Sequence, residues 1–599
     1  MRLSQICTRA TGKVERTVSP MTTAKHPAEP QADFGATGAI NRSRISRRTL
    51  LAGTVLGAAA GSLGRTPLPG FQPLIASAQD VQSGGSLTYG VSFDFDGTLD
   101  PQVTNYDSTI RVMLNVCEPL IWMPTATDFY PGLAESWEVS DDGLTYTFVL
   151  KQGVSFTDGT PFNAEAVQFT FDRVVESRKL TEAGEEVDAT TVIVPGQSFN
   201  QIDAYDHAEI VDDHTIKLVL SRPFAPFLSG LNGYLGIVSP TAVKEMGLAE
   251  FARKPVGTGP FTVQEWVEKD HVTLAKNPDY NWGSSFFSHA GAAYLDEMIY
   301  KIIPDGAVRT GTLISGESQY IDEIDPLQLV DLQENPDIAI VQQGQPGSGY
   351  ILLFNLERAD SPQADVAVRQ ALSFAVDKEA LNQAVWGGVY SPAASPLMKP
   401  TFGYEPKTEE VYTFDTEKAA AMLEEAGWVM NGDFREKDGK KLTFSWPIQD
   451  RPNDNGMATF IQGAWRAVGA EVVVEPMERG AFVERTRTAG EYDLAFMWFS
   501  YADPDTLRTI FYSGNIGNFN VGKYSNPDMD KMLLEAAETS DVDKRQELYS
   551  KIQLQLLDEA VTIPLADSIT YNAKRANLDG DFLDFLASYV WMNDAHFTE

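Results

Sequence analysis

The chain has 599 residues, 43% of them hydrophobic and 11% aromatic, which is too long for one hydrophobic core and apolar enough for several folded units. Asp and Glu number 83 against 47 Lys and Arg, a formal net charge of −36, and this negative field excludes nucleic-acid binding because polyanions are repelled. With only two cysteines, Cys7 and Cys117, a disulfide-rich fold is excluded as well.

The first elements in chain order are those of an export signal. An arginine cluster that includes Arg47 and Arg48 precedes about fifteen small or apolar residues, and a small-x-small cleavage site ends at Ala78. The pattern resembles the twin-arginine signal, whose receptor reads the paired arginines. We therefore expect residues 1–78 to be a disordered N-terminus with a removable signal. No later apolar run is long enough to span a bilayer, so the mature protein is not expected to cross the membrane.

The mature chain alternates short strands with amphipathic helices, which predicts a mixed α/β fold. Apolar residues at every second position predict half-buried strands at 144–150 and 216–220, and Asn163 is a plausible N-cap for the helix that follows. Two extended segments, 350–355 and 563–567, bracket a block of about two hundred residues and indicate two lobes joined by a hinge. Further helices are predicted at 368–376, 457–468, 529–537 and 542–557, with strands at 472–474 and 561–565.

One motif suggests an enzyme. Asp94 and Asp96, in Phe-Asp-Phe-Asp-Gly-Thr-Leu, resemble the nucleophile and general acid of the haloacid dehalogenase-like phosphatases, which also require Mg²⁺. The second acidic pair of that family has its only counterpart at 580–584, almost five hundred residues away and with the wrong spacing. A phosphatase therefore remains only a remote alternative.

No metal or cofactor is expected. A calcium loop beginning at Ser92 fails because Val103 stands where a bidentate glutamate is needed. The histidines of the mature chain are too scattered to form a ligand set, at positions 207, 214, 271, 289 and 596.

Six phrases, in order, resemble family 5 of the bacterial extracellular solute-binding proteins and run nearly the whole mature length. They are TLDP (98–101), DGLTYTFVLKQGVSFTDGTPFNAEAVQFTFDRV (142–174), GTGPFTVQEW (257–266), RQALSFAVDK (369–378), YDLAFMWFSYADPD (492–505) and YSNPDMDKMLLEA (524–536).

This resemblance implies a two-lobed periplasmic-binding-protein type II fold, with a hinge and an extra subdomain inserted in the first lobe. The first lobe is expected at 79–345 plus 565–599, with the insert at about 122–245. The second lobe is expected at 346–564, and the hinge near 354–355 and 564–565.

The function implied is that of an exported receptor for an ABC importer, not an enzyme. It would bind a peptide or peptide-like solute by lobe closure and deliver it to the permease subunits, as a monomer in the periplasm or outside the cell. An oligosaccharide or another non-peptide solute is the alternative ligand, because stacked aromatic rings also suit sugar faces.

The resemblance also suggests binding residues. Gln-Asp-Arg-Pro-Asn at 449–453 is similar to the carboxylate-binding stretch of dipeptide binders and gives that role to Arg451. Where amine-binding relatives carry an Asp, this chain has an aromatic cluster. The residues expected to line the cleft are Phe95 and Tyr106 from the first lobe and Arg451, Trp498, Phe499 and Tyr501 from the second.

Overall fold

A computed structural model describes residues 83–95, 97–104, 106–125, 128–324, 326–586 and 588–598. Arg47, Arg48, Ala78 and Asp96 lie outside these residues, so the expectations for them stay predictions. The described chain is a two-lobed α/β fold with separate sheets in each lobe, which confirms the predicted fold class.

The first lobe is built on a mixed sheet of seven strands. Ser86–Val91 lies at its centre and pairs in parallel with a strand on each side. Its apolar side chains, Leu87, Tyr89 and Val91, alternate along the strand and are fully buried in the first-lobe core. In order across the sheet the strands are Ile338–Gly344, Ile569–Arg575, Tyr320–Ile321, Ser86–Val91, Glu297–Ile302, His271–Lys276 and Phe261–Val267. Its helices are Asp107–Met113, Pro240–Met246, Leu248–Phe251, Gly306–Ser315 and Pro326–Gln333.

A four-stranded antiparallel sheet forms the insert, within the range predicted for it. The predicted alternation is confirmed, since Tyr146, Phe148 and Leu150 are buried in the insert core. The predicted cap is confirmed too, because the Asn163 side chain accepts the N–H of Ala166 at 3.1 Å. The strands are, in sheet order, Ala134–Val139, Thr145–Leu150, Thr215–Leu220 and Tyr205–Asp212, and the helices are Ala164–Glu182, Ser198–Gln201 and Phe227–Gly230.

The second lobe has a four-stranded sheet with helices on both faces and two smaller sheets. In order, its main strands are Ser391–Pro392, Thr562–Asp567, Gly347–Phe354 and Leu494–Ser500. Thr443–Gln449 and Glu471–Met477 form a parallel pair, and Val429–Asn431, Phe434–Lys437 and Lys440–Lys441 form a small antiparallel sheet. The α-helices are Val366–Phe374, Lys378–Trp386, Thr416–Glu425, Pro452–Ala467, Arg479–Val483, Thr506–Phe511, Pro527–Glu538 and Val542–Asp558, with a π-helix at Glu484–Ala489 and 3₁₀ turns at Pro362–Ala364, Pro406–Glu410 and Ser513–Asn515.

Three short hairpins complete the first lobe. Their strand pairs are Ile121–Trp122 with Tyr130–Pro131, Leu578–Asp579 with His596–Phe597, and Phe582–Leu583 with Val590–Trp591.

The chain passes between the two main sheets twice. The first-lobe strand Ile338–Gly344 is followed by Gly347–Phe354 of the second lobe, and Thr562–Asp567 is followed by Ile569–Arg575 of the first. The crossings are therefore residues 345–346 and Ser568. The residues where a hinge was expected, 354–355 and 564–565, instead lie in or directly after paired strands of the second lobe.

Buried ion pairs join distant parts of the first lobe. Arg111 pairs with Asp322, and Arg173 of the insert helix pairs with Asp100, with all four side chains almost fully buried. Asp100 belongs to the Thr-Leu-Asp-Pro phrase, so that phrase has a structural role here. Breaking such a pair leaves an uncompensated buried charge, which typically costs about 3–5 kcal/mol.

Over the described ranges, no helix combines the length and the apolarity needed to cross a membrane. Cys117 is buried and carries a free thiol.

Candidate functional site

The two lobes meet at a group of polar contacts beside the crossings. The indole N–H of Trp498 donates to the Ser568 hydroxyl at 3.0 Å, and that hydroxyl donates to the Gln345 side-chain oxygen at 2.6 Å. Further out, the Tyr571 hydroxyl donates to the Val389 carbonyl at 3.1 Å. Trp498 thus connects a second-lobe strand to one crossing directly and to the other through the Ser568 hydroxyl.

Trp498 also belongs to an aromatic cluster on one face of the second-lobe sheet. Its ring stacks against Tyr350 with 6.1 Å between centroids, and Tyr350 in turn stacks on Phe496 at 5.5 Å and Tyr390 at 5.9 Å. With 39% of its surface exposed, the Trp498 side chain still presents a face to solvent. This cluster can offer a flat apolar surface to a ligand.

Phe499 and Tyr501 point to the opposite face of the same strand, because successive side chains of a strand alternate. They line a cavity of about 60 Å³ between the insert and the second lobe. The lining residues are Gln197, Asn200 and Asp203 of the insert, and Phe499, Tyr501, Arg508, Thr509, Asn515, Asn518 and Phe519 of the second lobe. The structure thus separates Trp498 from Phe499 and Tyr501, which had been predicted to form a single lining.

Arg508 lines this cavity and contacts carboxylates on both of its sides. Its guanidinium donates to Asp505 at 2.6 Å and lies 3.5 Å from Asp203 across the gap between the lobes. Burial raises the pKa of Asp505 to about 6, against the lowering effect of the adjacent Arg508. Asp503 is paired with Arg545 at 2.7 Å. Both carboxylates of the Asp-Pro-Asp phrase are therefore engaged by arginines.

Arg451 is exposed at the start of helix Pro452–Ala467, where it bonds to the side chain of Gln449. One turn into that helix lies Asp454, whose carboxyl is buried with one oxygen unpartnered among the described residues. Burial raises the pKa of Asp454 to about 6, and the nearby Arg451 guanidinium offsets part of that rise. Arg451 itself has no carboxylate within ion-pair distance in the described chain, so its guanidinium is open to an anion.

Tyr106 faces the second lobe. The Arg479 guanidinium lies 4.9 Å from its ring centroid and contacts its hydroxyl. Tyr106 also precedes helix Asp107–Met113, so its position is set by the start of a buried helix.

The expectation for Phe95 needs correction. Its side chain has no exposed surface and packs in the first-lobe core, because the turn after Val91, in which Asp94 accepts the Phe95 N–H, folds the ring inward. Phe93, two residues earlier, is 59% exposed. The same turn uses a side-chain oxygen of Asp94, the residue that the phosphatase alternative required as nucleophile. Within the described residues, no group of three or more metal-ligating side chains is found.

Several site residues carried no sequence signal. The fold places Tyr350 and Tyr390 in the aromatic cluster, Arg508 and Phe519 in the cavity, and Arg479 against Tyr106, although these five residues span 169 positions from the first to the last. Nothing local distinguishes them from other aromatic or basic residues.

Comparison with known proteins gives consistent results. The family described as bacterial extracellular solute-binding proteins, family 5 Middle, matches residues 128–519. The dipeptide-binding protein of Escherichia coli (strain K12) is 31% identical over 491 residues, covering 78% of this chain and 86% of that protein. Heme-binding protein A of Haemophilus influenzae is 31% identical over 463 residues, covering 74% and 80%.

Among solved structures, the periplasmic binding protein DppA from Helicobacter pylori, in complex with the peptide STSA, superposes with a TM-score of 0.71. It is 26% identical and covers 86% of this chain and 99% of its own.

Proposed function

Because the chain belongs to family 5 of the bacterial extracellular solute-binding proteins, we propose that it is the receptor of an ABC importer for a peptide or peptide-like solute. The observation that carries the proposal is the cavity between the insert and the second lobe, which polar and charged side chains of the insert line together with aromatic and charged side chains of the second lobe. Relatives named for dipeptides, and a structural neighbour solved with a peptide, favour this ligand class.

The mechanism is ligand-driven closure of the lobes. A solute that contacts both lobes binds the closed form more tightly than the open form and shifts the population toward it. Residues 345–346 and Ser568 are the proposed hinge, because they are the only stretches between the paired strands of the two main sheets in the described chain.

The proposed contacts combine residues of both lobes. Arg451 receives the carboxylate end of the solute, while Trp498, on one face of its strand, and Phe499 and Tyr501, on the other, contact apolar parts. Tyr106 contributes from the first lobe. This arrangement suits an extended ligand with an anionic end and an apolar middle.

The test is the identification of a bound solute. Native mass spectrometry of the purified mature protein, followed by calorimetric titration with di- and tripeptides and with oligosaccharides, should find saturable binding of peptides. A peptide at 100 times its Kd is expected to stabilise the protein by about 2.7 kcal/mol. Binding of oligosaccharides but of no peptide would contradict the ligand class.

Arg451→Ala should weaken peptide binding by at least about tenfold, because a charged hydrogen-bonded partner of the carboxylate is lost. Arg466→Ala is the matched control, since Arg466 is exposed on the same helix and pairs with Asp433. Equal affinities of Arg451→Ala and wild type for a peptide would refute the role of Arg451.

The proposed location is the periplasm or the cell exterior, reached as a folded monomer by the twin-arginine route. Replacing Arg47 and Arg48 together by Lys should leave the precursor in the cytoplasm, because the receptor reads the arginine pair. Fractionation and immunoblotting measure this, and normal export of the variant would point to the general secretory route.

We further propose that the protein catalyses no reaction. Mg²⁺-dependent phosphatase turnover that disappears in Asp94→Asn would contradict this.

A further inference from the structure

Two arginines of the second lobe, Arg479 and Arg487, lie in one continuous helical segment. Arg479 begins a short helix that continues into the π-helix Glu484–Ala489, and Arg487 lies within that π-helix. Arg479 reaches across to Tyr106 of the first lobe. Arg487 lies 4.5 Å from the Phe519 ring centroid and donates to the Asn518 side chain at 3.4 Å.

Neither guanidinium has an acidic partner among the described residues, although the chain carries 83 acidic residues against 47 basic ones. Arg485, which lies between them in sequence, does have acidic partners. Arg485 lies 3.5 Å from Glu475 and 3.3 Å from Glu491. In so acidic a protein, two neighbouring arginines without a carboxylate are not explained by pairing within the fold.

The two charges also disfavour each other. Arg487 is half-buried, and its pKa is lowered by that burial and by the proximity of Arg479. A half-buried guanidinium close to a second positive charge is unfavourable until an anion neutralises it. Planar guanidiniums are well suited to carboxylates, which they bind through two parallel hydrogen bonds.

The position of the pair connects it to the candidate binding site. Asn518 and Phe519, which contact Arg487, also line the cavity beside Phe499 and Tyr501. Tyr106, which contacts Arg479, belongs to the first lobe. An anion at this position would therefore touch the second lobe directly and the first lobe through Tyr106.

We propose that Arg479 and Arg487 form an anion subsite that receives a side-chain carboxylate of the bound solute, in addition to the terminal carboxylate at Arg451. The preferred ligands are then acidic peptides, those with a Glu or Asp side chain within reach of the pair. This inference rests on the proposed receptor function and narrows its substrate class.

The experiment uses the mature protein and tripeptides of alanine with Glu at the first, second or third position, each with its Gln counterpart. Titration calorimetry compares wild type, the double variant Arg479→Gln/Arg487→Gln, and the control Arg466→Gln. Wild type should prefer at least one Glu peptide over its Gln counterpart by about tenfold. The preference should fall to near one in the double variant and persist in the control.

Two further measurements keep the test decisive if the double variant folds poorly. Arg479→Lys/Arg487→Lys keeps both charges and loses the planar fork, so its preference should be intermediate. In wild type itself, raising NaCl from about 0.05 to about 0.5 M should reduce the preference, since salt screens exposed charges.

Equal affinity of wild type for Glu and Gln peptides at all three positions would overturn the anion subsite and leave the receptor function standing. A preference that persists in the double variant would overturn it as well. Failure of every tripeptide to bind any form would contradict the receptor function for peptides too.

Discussion

The carboxyl group of Asp584 is buried where its ionised form is unfavourable. It is fully buried in the first lobe, where one oxygen accepts the N–H groups of Ser588 and Tyr589 and the other has no partner among the described residues. Burial raises its pKa to about 7, and the nearby Asp107 carboxyl adds to the rise. The folded protein therefore keeps this proton to a higher pH than the unfolded chain, whose Asp pKa is about 3.9.

The consequence is a pH-dependent loss of stability. Between about pH 4 and pH 7 the folded state binds more protons than the unfolded state at this group, so its contribution to the free energy of unfolding falls as pH rises. Asp584→Asn removes this dependence and should gain stability relative to wild type with rising pH, by up to about 1.4 kcal/mol per pH unit. Urea unfolding at pH 5, 6, 7 and 8 measures the difference.

Asp360→Asn, the same substitution at an exposed site, is the control. If Asp584→Asn and wild type differed by the same amount at every pH, Asp584 would not be titrating in this range.

Gly347, the first residue of the second-lobe strand after the first crossing, allows that strand to pack closely against its neighbour. Its φ is 109°, and a Cβ there would lie 2.3 Å from the Phe499 carbonyl oxygen and 2.6 Å from the Tyr501 nitrogen. Only glycine allows the crossing strand to approach the strand that carries the aromatic side chains.

Gly347→Ala should therefore destabilise the protein by about 1–3 kcal/mol, because both the backbone conformation and the contact are strained. Gly311→Ala is the matched control, since Gly311 lies inside helix Gly306–Ser315 with open space at its Cβ position. That change should be neutral or stabilising by about 0.5–1 kcal/mol. Thermal unfolding compares the two, and equal effects would show that the crossing tolerates a side chain.

Local patterns predicted the elements well. The predicted helices at 368–376, 457–468, 529–537 and 542–557 correspond to Val366–Phe374, Pro452–Ala467, Pro527–Glu538 and Val542–Asp558, because apolar spacing and caps are local properties. The crossings were less predictable. An extended segment looks the same in sequence whether it pairs within a sheet or passes between two sheets, so the hinge was expected at residues that lie in or directly after paired strands.

The site was predicted only in part, for a similar reason. The aromatic residues at 498–501 are visible in the sequence as a cluster. Because successive side chains of a strand alternate, Trp498 and Phe499 lie on opposite faces and do not form the single lining that was expected. Phe95 was expected to line the cleft, whereas a turn buries its ring in the first-lobe core. The pairing of Arg479 with Tyr106 joins residues 373 positions apart, which no local pattern reveals.

The insert and the second lobe are joined by a backbone hydrogen bond, an ion pair and apolar packing. The Ala225 N–H donates to the Ala537 carbonyl at 2.7 Å, Arg508 lies 3.5 Å from Asp203, and Ala537 packs into the insert core. Contacts of this kind exist only while the lobes are together. A bound solute adds contacts to both sides, so ligand binding and lobe closure are coupled in the proposed mechanism.

In the proposed mechanism, a peptide or peptide-like solute closes the two lobes. Small-angle X-ray scattering of the mature protein, with and without a saturating tripeptide that binds in calorimetry, measures this closure. The radius of gyration should decrease on binding, and Arg451→Ala should need a higher peptide concentration to reach the same decrease. An unchanged radius of gyration at a concentration that saturates the calorimetric signal would contradict closure.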